Sequence, residues 1–326
     1  MKQKSIFLWL LLCIFLVYSM IIIGGYTRLS HSGLSIVEWS PVSGTIPPLS
    51  EDSWNIEFSK YKQSPEFQKV NYSISLNEFK EIFLVEYFHR LLGRILGLVF
   101  MVPLLYFILS KTITFYESRY YIFVGLLIGL QGLVGWLMVK SGLIDQPNVS
   151  QYRLALHLSL ASILLILLVV KIADIKFISN RYGCFSLGLL LLQIISGAFV
   201  AGLHAGLTYN TFPLMDGELI PSGLWLMKPW YINIFENITM VQFLHRILGV
   251  INFINISFYA YVIYSKASKI AILLFSIVGI QFILGVLTLL LQVPLKFALL
   301  HQGVAMLLLI SIVFSLKKEE SNSFIF

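Results

Sequence analysis

"EYFHRLLGRILG", Glu86 to Gly97, and "QFLHRILGVIN", Gln242 to Asn252, decide the fold. Each puts a His-Arg pair into the first turns of an otherwise apolar helix, and "FHRLLG" (Phe88 to Gly93) matches "LHRILG" (Leu244 to Gly249). Self-comparison extends the match. "GLQGLVG" (Gly129 to Gly135) pairs with "GIQFILG" (Gly279 to Gly285), and "HSGLS" (His31 to Ser35) pairs with "HAGLT" (His204 to Thr208). A glycine stands seven residues before each of the latter histidines, Gly24 and Gly197. The chain is therefore a tandem repeat of four helices per half, residues 1–175 and 176–326, with a long outer loop at about 28–81 in the first half. Four helices return the chain to the side it started from, so the halves have the same orientation and equivalent residues share one membrane depth. The expected fold is all-α and polytopic: eight transmembrane helices forming two tandem, pseudo-twofold-related four-helix bundles.

Composition agrees. Of 326 residues, 58% are hydrophobic and 12% charged, too apolar for a soluble domain. Stretches without Asp, Glu, Lys or Arg run over Ser5 to Thr27, Tyr120 to Val139, Leu154 to Val170, Tyr182 to Met215, Ile270 to Leu295 and Phe297 to Leu316. Most reach the roughly 20 residues that a spanning helix needs. Ile95 to Ser110 and Ile247 to Ser265 become long enough once the His-Arg turns before them are included.

The start, "MKQKSIFLWLLLCIFLVYSMIII", has a longer apolar run than a signal peptide and reads as a retained first helix. With the N-terminus inside, that side's short connections hold Lys2, Lys4, Lys111, Arg119, Lys171, Lys176, Arg181, Lys266, Lys269, Lys317 and Lys318. The outer ones hold Lys140, Arg153, Lys228 and Lys296, apart from the first outer loop. This bias puts both termini in the cytoplasm of a bacterium, in its inner membrane. Topology explains the net charge of +7, and no basic, aromatic-laced soluble domain supports nucleic-acid binding. Cys13 and Cys184 both fall within apolar helices as small buried hydrophobes, so no loop disulfide is expected.

Four of the six histidines occupy matched helical positions: His89, His157, His245 and His301, each near the outer mouth of its span. One histidine from each of two helices can approach an iron porphyrin from opposite faces. Zinc prefers about four N, S or O ligands at one centre, so two His pairs without Cys point to two bis-imidazole hemes. His31 and His204 align as well, but read as solvated or loop-bonding side chains.

Arg90 and Arg246 directly follow a candidate ligand, Arg94 comes one turn later, and Arg153 and Lys296 lie about a turn before the other two. With Arg28 at the end of the first span, these arginines are candidates to meet heme propionates, since guanidinium pairs well with carboxylate. Snorkelling towards headgroups is the plainer reading, and the one expected for Lys296.

The halves differ at one position. Three residues before the His of each His-Arg pair stand Glu86 and Gln242. The i, i+3 spacing sets Glu86 on the face of His89. An i, i+4 ion pair with Arg90 is its structural reading; a buried carboxylate beside a heme could also move a proton or stabilise developing positive charge. Repetition followed by this divergence suggests one site for chemistry and one for electron transfer.

With these residues in place, the whole chain resembles the heme A synthase family, in the alpha-proteobacterial and mitochondrial subtype. The resemblance rests on "GGYTRLSHSGLSIVEWSPVSGTIPPLSEDSW" (Gly24 to Trp54), "EFSKYKQSPEF" (Glu57 to Phe67), "EYFHRLLGR" (Glu86 to Arg94), "FVAGLHAGLTYNTFPLMDG" (Phe199 to Gly217) and the four histidines. It implies conversion of heme O to heme A by oxidising the ring methyl at C8 to formyl, through successive hydroxylations and loss of water. It further implies that His89 and His157 hold the substrate heme O, that His245 and His301 hold a resident heme B, and that Glu86 is the active-site carboxylate. An electron carrier, heme O synthase and a second copy of the chain in a homo-oligomer are the partners expected beyond membrane lipid.

One departure from some relatives matters: the first outer loop carries no Cys pair, so any step assigned to those thiols is absent here. The loop's Trp39, Trp54, Pro41, Pro47 and Pro48 suit an ordered cap over the heme edge. Two rivals stand beside this reading, a non-catalytic di-heme b-type cytochrome and a transporter. The polar groups gather at one face and not along a path through the bilayer, which disfavours the transporter.

Overall fold

A computed structural model describes residues 2–40, 43–144, 146–175 and 180–317. Its eight long helices are α1 (Lys2–Leu29), α4 (Leu76–Leu109), α5 (Phe115–Gly142), α6 (Gln151–Ile172), α7 (Arg181–Gly202), α9 (Ile238–Ile263), α10 (Ser268–Leu290) and α11 (Leu295–Ser315). Three short helices lie in the connections between α1 and α4 and between α7 and α9: α2 (Glu51–Tyr61), α3 (Pro65–Lys69) and α8 (Asn233–Glu236). All eight long helices are apolar and long enough to cross a membrane, and no strand occurs among the described residues. The shortest, at 21 residues, reaches about 31 Å, the thickness of a bilayer's hydrocarbon core. The protein is thus a multi-pass, all-α membrane protein. Lys176, Lys318 and Pro41, which entered the sequence reading, lie outside the described residues, as do residues 176–179 beside the expected division of the halves.

Helix boundaries follow local chemistry more closely than apolarity does. Ser75 and Glu78 form a capping box that starts α4 at Leu76, inside the stretch expected to be loop. Thr114 and Glu117 do the same for α5, and Asn237 accepts hydrogen bonds from the Thr239 and Met240 N–H groups to start α9. The apolar run Tyr182 to Met215 is not one helix. It stops at Gly202, and His204 then takes a left-handed backbone, φ 53°. His31 does likewise after α1, at φ 52°, and the Ser32 N–H bonds back to the Thr27 carbonyl across it, a Schellman-type stop. The two alignable histidines therefore occupy the same helix-terminating position.

The chain forms two compact units, residues 1–164 with 201–204, and residues 165–200 with 205–326. In the first, Trp9 of α1 donates to the Val99 carbonyl of α4 and packs against Phe100 and Tyr121. The first turns of α4 carry the outer loop, where Phe58, Tyr61, Phe79, Phe83 and Tyr87 form a buried aromatic cluster joined by Trp54 and Phe67. The described residues of the long loop accordingly form an ordered cap on the first turns of α4. It buries Glu66, only 4% exposed, and burial pushes that carboxyl up to about 7.

In the second unit polar bonds tie the helices together inside the apolar surroundings. Asn255 of α9 donates to Ser186 of α7, Asn252 donates to the Leu189 carbonyl, and the Tyr259 hydroxyl meets Ser315 of α11.

Candidate functional site

Each of the four span histidines lies against a glycine of a neighbouring helix. His89 of α4 sits on Gly24 of α1, His157 of α6 on Gly135 of α5, His245 of α9 on Gly197 of α7, and His301 of α11 on Gly285 of α10. A Cβ at any of these glycines would come within 2.9–3.2 Å of the ring. In the Gly-x-Gln-x-x-x-Gly motifs only the second glycine is used in this way; Gly129 and Gly279 face nothing within 4 Å. The second glycine of each motif thus makes room for an imidazole. Within each unit the two imidazoles are electrostatic neighbours, His157 with His89 and His245 with His301.

A glutamine four residues before the cradle glycine has its own role, which sequence reasoning missed although Gln131 and Gln281 were visible as a repeat; Gln193 stands outside that motif. Gln131 Nε2 donates to the His157 carbonyl at 2.9 Å. Gln193 Nε2 donates to the His245 carbonyl at 3.1 Å and lies 3.2 Å from that ring's Nδ1. Gln281 Nε2 lies 3.2 Å from His301 Nδ1. Ser196 Oγ adds a contact of 3.2 Å to His245 Nδ1. Gln193, Ser196 and Gln281 thus lie against ring nitrogens of His245 and His301, while Gln131 holds the main chain of His157.

The residues present fit a porphyrin clamp. The rings lie in glycine cradles, and Oε1 of Gln131, Gln193 and Gln281 and Nδ1 of His157 are buried without a hydrogen-bond partner. Such orphaned polar groups are unusual unless something else completes the site. Among the described residues no three His, Cys, Asp or Glu side chains converge as a metal-ion site.

Glu86 is 2% exposed and hydrogen-bonded through both oxygens. Oε1 accepts from Arg90 Nη2 at 2.6 Å and Nε at 3.1 Å. Oε2 accepts from the Ser35 hydroxyl at 2.7 Å and the Ile36 N–H at 2.9 Å. The i, i+4 ion pair expected as the structural reading is present, and Ser35 and Ile36 are partners the sequence did not announce. In the second half Gln242 Nε2 instead donates to the Tyr209 carbonyl at 2.9 Å. Ile36 and Tyr209 are equivalent in the repeat, five residues after His31 and His204. A carboxylate can only accept, so it meets the loop's N–H; an amide can donate, so it meets the loop's carbonyl.

The arginines anchor backbone. Arg90 also donates to the carbonyls of Ile36 and Glu38, and its counterpart Arg246 donates to those of Tyr209 and Thr211. Arg94 donates to the Ser40 carbonyl, Arg153 to that of Leu137 and Arg28 to that of Ala201. Arg246 Nε is buried without a hydrogen-bond partner. Arg90 and Arg94 also line a cavity of about 700 Å³ under the cap with Glu38, Pro47, Ser53 and Tyr87. His204, outside the spans, is held below the ordinary imidazole value, mainly by burial and further by Arg28 and His31.

The pattern of the COX15-CtaA family, cytochrome oxidase assembly proteins, matches residues 7–313. The chain belongs to this family. Among COX15-CtaA relatives it is 45% identical over 323 residues to the heme A synthase of Nitrosospira multiformis, covering 94% of this chain and 91% of that one. It is 47% identical over 314 residues to the heme A synthase of Wolbachia pipientis wMel, covering 93% and 89%. Its identity to the heme A synthase of Neorickettsia sennetsu is 48% over 315 residues, covering 92% and 95%. The COX15-CtaA match spans α1 through most of α11, and so includes all four cradled histidines, Glu86 and the outer cap.

Proposed function

We propose that this chain is a heme A synthase, an oxidoreductase that converts the C8 methyl group of heme O to formyl and so supplies heme A to terminal oxidases. The observation that carries the reading is the break in the repeat: a buried, fully hydrogen-bonded Glu86 one turn from His89, against neutral Gln242 at the same place beside His245. Relatives 45–48% identical over nearly the whole chain carry the name heme A synthase.

His89 and His157 would hold the substrate heme O, and His245 and His301 a resident heme B. Heme B, when bound, supplies a one-electron carrier for the oxidation. The chain's own residues bind, orient and charge the sites. The glycine cradles seat the imidazoles, and the amides of Gln131, Gln193 and Gln281 steady His157, His245 and His301.

Glu86 places negative charge beside the substrate site, where positive charge develops as the methyl carbon is oxidised. Four hydrogen bonds hold it, and Ser35 Oγ is the hydroxyl that would take a proton to or from Oε2. Arg28, Arg90, Arg94, Arg153 and Arg246 already face carbonyl oxygens and are the groups to receive propionates. The cap excludes water from the outer edge of the first site. In the cell the chain would lie in the bacterial inner membrane with both termini cytoplasmic, receive heme O from heme O synthase and pass electrons to a carrier, alone or as a homo-oligomer.

The test is expression with a heme O supply, followed by extraction of hemes from the purified protein and the cells. Hydroxylated heme O and heme A are expected. Heme B on the protein with neither product in the cells would favour the di-heme electron-carrying cytochrome.

A further inference from the structure

Three of the four histidines share one support. On the neighbouring helix a glycine lies under the ring, and four residues earlier a glutamine amide reaches the same histidine: Gln131 and Gly135 for His157, Gln193 and Gly197 for His245, Gln281 and Gly285 for His301. His89 has the glycine, Gly24, but four residues earlier stands Met20.

The substitution is spatial as well as sequential. The Met20 methyl lies 3.5 Å from where a Cβ of Gly93 would be, and Gln193 Nε2 lies 3.5 Å from where a Cβ of Gly249 would be. Gly93 and Gly249 are the equivalent glycines that close the two His-Arg motifs. Met20 therefore fills the place of the amide with a thioether, which has no N–H to donate and adapts its shape readily.

We propose that Met20 sets the substrate character of the first site: lacking the amide tie, the His89 arm of the clamp releases its porphyrin, while the amide-braced clamp of His245 and His301 keeps its own. This deepens the proposed function and rests on its assignment of the two His pairs. A synthase must let product go and take new substrate, whereas an electron-carrying heme must stay. An amide between two helices inside a membrane holds them with a strength equivalent to about three- to twentyfold in an equilibrium or a release rate. That is enough to separate an exchanging site from a retaining one without changing either ligand. The remaining amide, Gln131, donates to the main chain of His157, so the asymmetry falls on the His89 arm.

The test uses full-length protein in detergent, loaded in cells supplied with heme O. Transfer of each heme to excess apomyoglobin is followed, together with the reduced spectrum and midpoint potential of each heme. Met20→Gln is expected to slow transfer from the first site about three- to twentyfold, to raise the heme O and heme A retained per chain and to shift that heme's potential, with heme B unchanged. Met20→Leu, of similar bulk and without an amide, is expected to transfer at the wild-type rate, which separates the amide from packing. The reciprocal Gln193→Met should speed loss of heme B by a similar factor, and it keeps the proposal testable if Met20→Gln fails to fold.

Wild-type transfer rates in both Met20→Gln and Gln193→Met, or equal slowing in Met20→Gln and Met20→Leu, would overturn the proposal. If wild-type protein neither held nor oxidised heme O, the assignment of function would fall instead, whatever Met20 did.

Discussion

Ser35, beyond the end of α1, donates its hydroxyl to Glu86 Oε2 of α4 over 2.7 Å, and both residues are buried. This bond joins the "HSGLS" motif to the "EYFHR" motif, its two residues lying 51 positions apart in the sequence. Its counterpart in the second half pairs no carboxylate, because Gln242 stands there and bonds the Tyr209 carbonyl.

Glu86→Gln is accordingly expected to stop oxidation with heme B still bound. Ser35→Ala keeps the carboxylate and its Arg90 pair but loses one hydrogen bond to a charged group, a loss of about tenfold in turnover. Chromatography of extracted hemes, scored for hydroxylated heme O and heme A, checks both. Full activity in both variants would remove Glu86 from the mechanism.

The two His pairs should separate cleanly by substitution. His245→Ala is expected to lose resident heme B, while His89→Ala keeps it and loses heme O conversion. A reduced-minus-oxidised spectrum of each purified variant decides the matter. An unchanged heme B spectrum in His245→Ala would mean that the halves are assigned the wrong way round.

The eight spans, the repeat and the four histidines were legible because each is periodic and strongly apolar or strongly exceptional. Helix ends were less so. Apolarity alone runs on past Gly202 to Met215, and only the repeat, which sets His204 just after the fifth span as His31 follows the first, marks the end of α7. The Glu86–Arg90 pair followed from i, i+4 spacing, but the loop half of that site did not: no local rule connects Ser35 or Ile36 to a helix dozens of residues later. Gln131 and Gln281 were visible as a repeat, and Gln193 was not. What they touch depends on helix neighbours, which a single sequence does not specify.

Glycine substitutions test the cradles. Gly285→Ala would put a Cβ 2.9 Å from the His301 ring, closer than a packed interior tolerates, whereas a Cβ at Gly279 meets nothing within 4 Å. Gly285→Ala is expected to lower heme B per chain severalfold, and Gly279→Ala to leave it near wild type. Heme-to-protein ratios after purification give the comparison, and equal effects of the two changes would mean that the glycine does not seat the ring.

The cap should weaken as pH rises. Glu66 is buried in the outer loop and its carboxyl is pushed up to about 7 from an ordinary 4.5, with burial as the cause. A raised value means that the folded cap binds the proton more tightly than the unfolded chain does. Its contribution is therefore complete below about 4.5, declines as pH rises towards about 7, and is lost above that, amounting to no more than about 3 kcal/mol. Glu66→Gln carries no titrating proton and should remove the decline. Hydrogen-exchange protection factors for the amides of α2 and α3, measured at about pH 5 and about pH 8, discount the intrinsic pH dependence of exchange and report cap opening directly. Wild-type protection is expected to fall between the two and that of Glu66→Gln to stay level; equal protection in the wild type at both would show that Glu66 does not couple the cap to pH.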